Sequence, residues 1–284
     1  MALPFHPGRA DGRMATVAKR LSILVDLDGV LWRAEQAVPG AAAALARLRA
    51  AGHRVAYFTN NSHPTVASTV GKLGKMGVTT TPELVLSSAQ AAATLGSAGD
   101  RALVVGGPGI AEALGGQGLD VVLCDGPGDG AGFDIVVVGI DPAFDYARLA
   151  RAMAAVDRGA RLIGTNADAT YPTPAGELPG AGSILAAVAV ASRAEPIVAG
   201  KPHAPAAELV RRRLGHVDLM IGDRLSTDGA FARRLGAGFG LVLSGVTAAD
   251  HGPLEPAPDC EAPDLAVLVD DLIAQRFVLR RDAG

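Results

Sequence analysis

Short apolar runs that close on a polar or glycine-rich stop alternate along this chain with Ala/Leu/Arg-rich stretches. Leu21 to Val25 is such a run and ends at Asp26. It predicts a strand buried in a parallel sheet. Pro39 and Gly40 then precede Ala41 to Ala51, whose composition favours a helix, and Gly52 supplies its stop. A strand over Arg54 to Phe58, a helix over Val66 to Met76 and a strand over Leu84 to Leu86 follow. Strand–helix–strand repetition at this spacing predicts right-handed crossovers and a parallel sheet.

A second unit is expected from about Gln90. Ala102 to Val105, Val121 to Cys124, Ile135 to Val138 and Arg161 to Gly164 read as strands, and Tyr146 to Val156 as a helix. The turn-rich segment between Cys124 and Phe133 has strands on both sides and reads as a loop within this unit. The first pattern then resumes. Ile197 to Val198 leads to Gly200-Lys201-Pro202, Pro205 to Leu214 is helical, Asp218 to Ile221 is a strand, Thr227 to Leu235 is helical, and Gly240 to Leu243 is a strand. The expected architecture is α/β: a doubly wound parallel-sheet core over 21–89 and 193–284, interrupted by an α/β insertion over 90–192. Residues 1–20 read as a tail, with Met14 as an alternative start to Met1.

Composition narrows the function. The 284 residues carry a formal net charge of −3, which argues against a nucleic-acid-binding face. The apolar run Ile184 to Ala191 falls far short of the ~18 residues of a membrane span, and no secretory signal core follows the basic residues of the tail. Cys124 and Cys260 belong to no CxxC pattern, which fits a reducing cytoplasm. Of the 26 basic residues only Lys19, Lys72, Lys75 and Lys201 are lysines, so a lysine at a strand end is informative.

Ligands of open α/β sheets bind outside the carboxyl ends of the strands. Four predicted ends are polar: Asp26-Leu27-Asp28-Gly29, Thr59-Asn60-Asn61, Gly200-Lys201-Pro202, and Gly222-Asp223 with Asp228 beyond. Each alone is a weak signal, since Asp residues often cap helices or fill turns. Together they make chemical sense. Asp26 and Asp223 can converge on a hard divalent cation, which takes about six oxygens and keeps several as water or phosphate. A carboxylate can also act as a covalent nucleophile. Gly29 suits a tight turn carrying Asp28 over the site. Thr59 and the N–H groups after it can donate to a phosphate, and Lys201 is a compact charge for the same anion.

DLDGV at Asp26 to Val30, TNN at Thr59 to Asn61 followed by Ser62, GKP at Gly200 to Pro202 and GDRLSTD at Gly222 to Asp228 together resemble the haloacid dehalogenase (HAD) superfamily of phosphatases. More narrowly they resemble its NagD-like, p-nitrophenylphosphatase branch. Gly164-Thr165-Asn166, Asp168 and Pro179 to Ser183 are similar to that branch's cap domain. The resemblance spans roughly Leu21 to Thr247. It departs at Gly229-Ala230, where the branch more often has an apolar residue and then an acidic or small one, and it leaves the stretch after Asp250 unexplained.

The resemblance implies a Mg²⁺-dependent phosphatase of small phosphorylated metabolites. Asp26 would take the phosphoryl group, and Asp28 would serve as acid and then base. Mg²⁺ would be held by Asp26, Asp223 and Asp28, the last through its backbone carbonyl, with Asp228 orienting a ligand of the metal. Thr59, Asn60, Asn61 and Lys201 would bind the phosphate. Asn166, Asp168 and Tyr171, on a cap loop, would select the substrate. The resemblance also raises dimerisation through the cap, for which the sequence shows no interface signature. A phosphoryl-transferring mutase of the same fold, a non-catalytic phospho-ligand sensor and a receiver phosphorylated by a partner kinase remain as alternatives. Intact Asp26, Asp28, Lys201 and Asp223 speak against the sensor, and the inserted unit and Asp28 against the receiver. Trp32 reads as loop packing, Gly106 to Gly109 as a turn before a helix, and the histidines show no metal-ligand spacing.

Overall fold

The computed structural model describes residues 20–275 apart from 174 and 256. The expected tail, with Met1 and Met14, lies outside the described residues except for Arg20. Strand β1 is Ser22–Val25, and a small hairpin of β2 (Trp32–Arg33) and β3 (Gln36–Ala37) follows it. Next come α1 (Ala41–Ala50), β4 (Arg54–Thr59), α2 (Val66–Lys75), β5 (Val85–Ser87) and α3 (Ser88–Ala93). Two of these helices start on side-chain caps: the Thr65 hydroxyl accepts from the Ser68 N–H, and Ser87 forms a reciprocal cap with Gln90.

The chain continues through β6 (Arg101–Val105), α4 (Pro108–Gly116), β7 (Asp120–Leu123), β8 (Ile135–Val138), α5 (Tyr146–Asp157) and β9 (Arg161–Gly164). A hairpin of β10 (Thr170–Thr173) and β11 (Gly176–Pro179), the helix α6 (Ala181–Ser192) and β12 (Ile197–Val198) complete this part. Then come α7 (Ala204–Leu214), β13 (Leu219–Gly222), α8 (Ala230–Leu235), β14 (Gly238–Val242), β15 (Cys260–Ala262) and α9 (Leu265–Ile273).

Among the described residues one parallel sheet has the order β15-β14-β13-β1-β4-β5 and a second has the order β12-β9-β8-β6-β7. Alternate side chains of the first sheet serve two cores. Ile23, Val25, Tyr57 and Ile221 pack with α1 and α9, whereas Leu24, Phe58 and Met220 pack with α3, α7 and α8. The latter core continues into Ala102, Val104, Ile135, Val137 and Ile163 of the second sheet. The other face of that sheet is covered by α5 and α6 through Ala152, Ala155, Leu185 and Val188. The two sheets therefore sandwich shared helices.

Three expectations change. Ile197–Val198, expected to open the returning core, pairs with β9 instead, so the second sheet holds the chain past residue 192. The stretch after Asp250 carries β15 and α9, the edge strand of the first sheet and a helix that buries Leu265, Leu268 and Val269. The helix expected from Thr227 to Leu235 is regular only from Ala230, because Leu225–Gly229 forms a wider π-type turn. There Asp228 is tied to Lys201 and to the Arg224 N–H, and Gly229 is buried against Leu225 and Phe239.

Candidate active site

Strands β13, β1 and β4 lie side by side and parallel, so their carboxyl ends deliver Asp223, Asp26 and Thr59 to one edge of the sheet. The backbone N–H of Asp26 donates to the Ile221 carbonyl at 2.8 Å and continues the ladder up to the site. Gly29 makes the turn that follows. Its φ is +79°, and a Cβ there would collide with the Asp223 carboxylate.

Lys201 enters on the segment that leaves the second sheet. Its side chain is 2% exposed, and Nζ lies 2.7 Å from Asp26 Oδ1 and 2.6 Å from Asp228 Oδ1. The Phe58 carbonyl accepts a third, longer contact at 3.4 Å. Burying an unpaired ammonium or carboxylate would be prohibitive, and these mutual contacts are what allow the cluster to sit in the core. Burial opposes the charge on Lys201, but Asp228 and Asp26 outweigh it and hold its pKa above the usual lysine value. Burial pushes Asp26 well above the usual carboxylate range. Lys201 opposes that shift, while the neighbouring Asp228, Asp223 and Asp28 charges add to it. Asp223 is raised to about 6 by burial and by Asp228, although its Oδ2 accepts the Val246 N–H at 2.6 Å.

One carboxylate oxygen from each of Asp26, Asp223 and Asp228 lies within 4.8 Å of the others. Three buried carboxylates against the Lys201 ammonium leave negative charge unbalanced, and all the donors are oxygens. That donor set fits a hard divalent cation. The Asp28 carboxylate is not in this cluster. It is exposed, and its Oδ1 accepts the Trp32 indole N–H at 2.8 Å, with Thr59 Oγ1 3.4 Å from Oδ2.

The residues expected to bind phosphate separate into two kinds. Thr59 stays at the strand end, its Oγ1 accepting the Asn61 N–H at 3.0 Å. Asn61 is exposed and caps the His63 N–H at 3.1 Å. The Asn60 side chain, expected to grip phosphate, is committed elsewhere. Its Oδ1 accepts the Lys201 N–H at 2.8 Å, and its Nδ2 donates to the Lys201 carbonyl at 3.1 Å and to Asp168 Oδ2 at 3.2 Å. Asn60 thus holds the lysine segment in place.

The expected substrate-selecting residues also divide. Asn166 is 3% exposed, donates to the Asn60 carbonyl at 2.8 Å and accepts the Asp168 N–H at 3.0 Å. It fastens the loops of the two sheets to each other. Asp168 faces the first sheet's loops, touching Asn60 and lying 3.5 Å from Arg224 Nη1. Tyr171 is half-buried on the β10–β11 hairpin, opposite Leu178.

Several contributors went unnoticed in the sequence. Arg224 directly follows Asp223, and a cation beside a strand-end carboxylate was the available signal. Ser88 Oγ donates to the Asn60 carbonyl at 2.7 Å, and Ser62 and Thr165 share a buried hydroxyl contact at 2.9 Å. Asn60, Ser62 and Thr165 lie in the quoted motifs, but nothing in those motifs pairs them across the fold. Of the Gly106 to Gly109 run, expected as a turn before a helix, Gly106 and Gly107 lead into α4 and Pro108 and Gly109 begin it; the 62–64 loop docks here, where the Gly109 N–H donates to the His63 carbonyl at 2.9 Å and a Cβ on Gly109 would strike the Pro64 carbonyl.

The match to known proteins agrees with this geometry. A family model for haloacid dehalogenase-like hydrolases matches residues 23–120, and a second model of HAD-like hydrolases matches residues 198–268. The chain is 35% identical over 276 residues to a glycerol-3-phosphate phosphatase of Gallus gallus, covering 87% of each chain. It is 37% identical over 244 residues to chronophin of Homo sapiens, covering 79% of this chain and 81% of chronophin. Its structure superposes with a TM-score of 0.79 on a glycerol phosphate phosphatase from Mycobacterium tuberculosis solved in complex with magnesium, at 34% identity over 89% of this chain and 77% of that one. Residues 251–268 of the stretch after Asp250, which the sequence motifs left unexplained, fall inside the second family match. These matches favour hydrolysis over the mutase, sensor and receiver alternatives. The chain belongs to the haloacid dehalogenase superfamily of hydrolases and, within it, to the NagD-like branch of phosphatases.

Proposed function

We propose that this chain is a Mg²⁺-dependent phosphatase of small phosphorylated metabolites that works through an aspartyl-phosphate on Asp26. The observation that carries the proposal is the buried Asp26 carboxylate, 2.7 Å from Lys201 and beside Asp223, with Asp28 exposed two residues on. Asp26 attacks phosphorus and the bond to the leaving oxygen breaks. Asp28 gives that oxygen its proton. A water then attacks the phosphorus of the aspartyl-phosphate and passes a proton to Asp28, and the bond to Asp26 breaks to release inorganic phosphate. Lys201 offsets the negative charge on the phosphoryl group, and Thr59 donates to its oxygens. Asp26, Asp223 and the Asp28 carbonyl would hold Mg²⁺, which supplies charge neutralisation to the phosphoryl oxygens. Asp228, through its contacts to Lys201 and the Arg224 N–H, keeps the lysine aimed.

Glycerol phosphate is the first substrate to test, because relatives from two kingdoms carry that activity in their names. The free thiols of Cys124 and Cys260 support a cytoplasmic setting, and among the described residues no helix is long and apolar enough to cross a membrane. Tyr146 and Val190, exposed on α5 and α6, are apolar side chains that a homodimer through the cap could cover. Phosphate release from glycerol phosphate and p-nitrophenyl phosphate is expected to require Mg²⁺ and to fall by roughly 10⁴-fold or more in D26N. Full activity in that variant would end the covalent reading.

A further inference from the structure

We propose that Trp32 is a positioning residue for Asp28, its indole N–H fixing the carboxylate for proton transfer to the leaving group. The proposal rests on the reading of Asp28 as acid and base.

Asp28 stands on an exposed turn, where a carboxylate would ordinarily sample several rotamers. Here one oxygen is spoken for. Trp32 is 4% exposed, and its indole nitrogen can only donate, so its N–H must find an acceptor. That acceptor is Asp28 Oδ1 at 2.8 Å. Backbone and side chain work together, because the Gly29 N–H donates to the Trp32 carbonyl at 2.7 Å. The turn and the indole are therefore locked to one another.

The indole is itself clamped from both sides. Its body packs with Leu27, Val30 and Leu73 in the core under α1 and α9. Its outer face carries the Lys72 ammonium, 4.6 Å from the ring centroid. Lys72 is held there by the Ala34 carbonyl at 2.7 Å and by Glu35 at 3.1 Å, both on the β2–β3 hairpin. A cation over the ring is attractive, so Lys72 helps to hold the indole in this orientation. Asp28 Oδ2 accepts only the longer Thr59 hydroxyl contact at 3.4 Å and is the oxygen that would carry the proton.

This arrangement makes a chemical prediction that packing alone does not. An alkoxide leaving group needs a proton as its bond to phosphorus breaks, whereas p-nitrophenolate departs without one. Loss of the indole N–H is therefore expected to slow alkyl phosphates selectively. Trp32 is the only tryptophan in the chain, so biosynthetic replacement of tryptophan by benzothienylalanine changes this position alone. The analogue keeps the bicyclic shape and puts sulfur where the N–H was. W32F offers the same readout in an ordinary expression host.

The quantity to follow is kcat/KM, which covers only the steps up to departure of the alcohol. With the analogue it is expected to fall about tenfold for glycerol phosphate, the worth of one hydrogen bond to a charged acceptor, and far less for p-nitrophenyl phosphate. D28N, assayed in parallel, is expected to show the same selectivity more strongly. Equal losses on the two substrates, or none, with D28N still selective would overturn the role of Trp32. A D28N variant without selectivity would instead overturn the acid–base reading on which the proposal rests.

Discussion

The floor of the site and its rim are built differently. On the floor, Asp26, Asp223, Asp228 and Lys201 are each less than a tenth exposed, and the two ion pairs of Lys201 are 2.6 and 2.7 Å long. On the rim, Arg224 and Asp168 are about 30% exposed and meet at 3.5 Å, and Tyr171 sits on a two-stranded hairpin. Charge–charge energies grow as water is excluded, so the floor has one stable arrangement while the rim has weak, adjustable contacts. The reacting groups are thereby fixed, and the surface that meets the rest of the substrate stays free to vary.

The hardest blow to this contrast is K201M. It removes the cation from a buried cluster of carboxylates and leaves their charge uncompensated. Breaking a buried pair this way is expected to cost about 3–5 kcal/mol of stability and to abolish turnover. Thermal unfolding in the absence of divalent ions measures the first and phosphate release the second. A melting temperature within a degree of the parent would mean that the floor is less interdependent than its geometry indicates.

Cation removal sharpens the same point. Asp223 is raised to about 6 in the folded protein, above its unfolded value, so its favourable contribution is present at low pH and is lost as pH rises through about 6. Asp26 is raised in the same direction. In EDTA these groups therefore strain the fold more at pH 7.5 than at pH 5. Mg²⁺, which competes with their protons, is expected to raise the melting temperature more at pH 7.5. An equal Mg²⁺ shift at the two pH values would contradict the assignment of these carboxylates to the cation.

The smallest effect is expected at the rim. D168A removes the contacts to Arg224 and Asn60, and an exposed pair of this kind is worth at most about 1 kcal/mol. Stability should barely change, while relative kcat/KM values across a panel of phosphorylated metabolites should shift by a few-fold. A loss as large as that of K201M, uniform over substrates, would place Asp168 with the floor.

Much of this was legible in the chain. The short apolar strands β1, β4, β8 and β13 announced themselves because a strand buried on both faces can tolerate few polar residues, and Asp26, Thr59, Lys201 and Asp223 were marked by their places after such strands. The assignment of Ile197–Val198 was not legible, since two apolar residues pair equally well with either sheet and only the fold brings β9 beside them. The partners of the Asn60 and Asn166 side chains were hidden for a similar reason. An amide next to a strand end can donate to a ligand or to a backbone, and the position of Lys201, 141 residues away, decides which.

By itself, the sequence determined the order of strands and helices and the residue types that phosphoryl chemistry requires, because those follow from local periodicity and from side-chain chemistry. Tertiary structure alone decided which carboxylates share the buried lysine and which of them stands apart on the indole of Trp32. Those outcomes depend on distances of a few ångströms between segments far apart in the chain, and on water being excluded from one group of charges and admitted to the other.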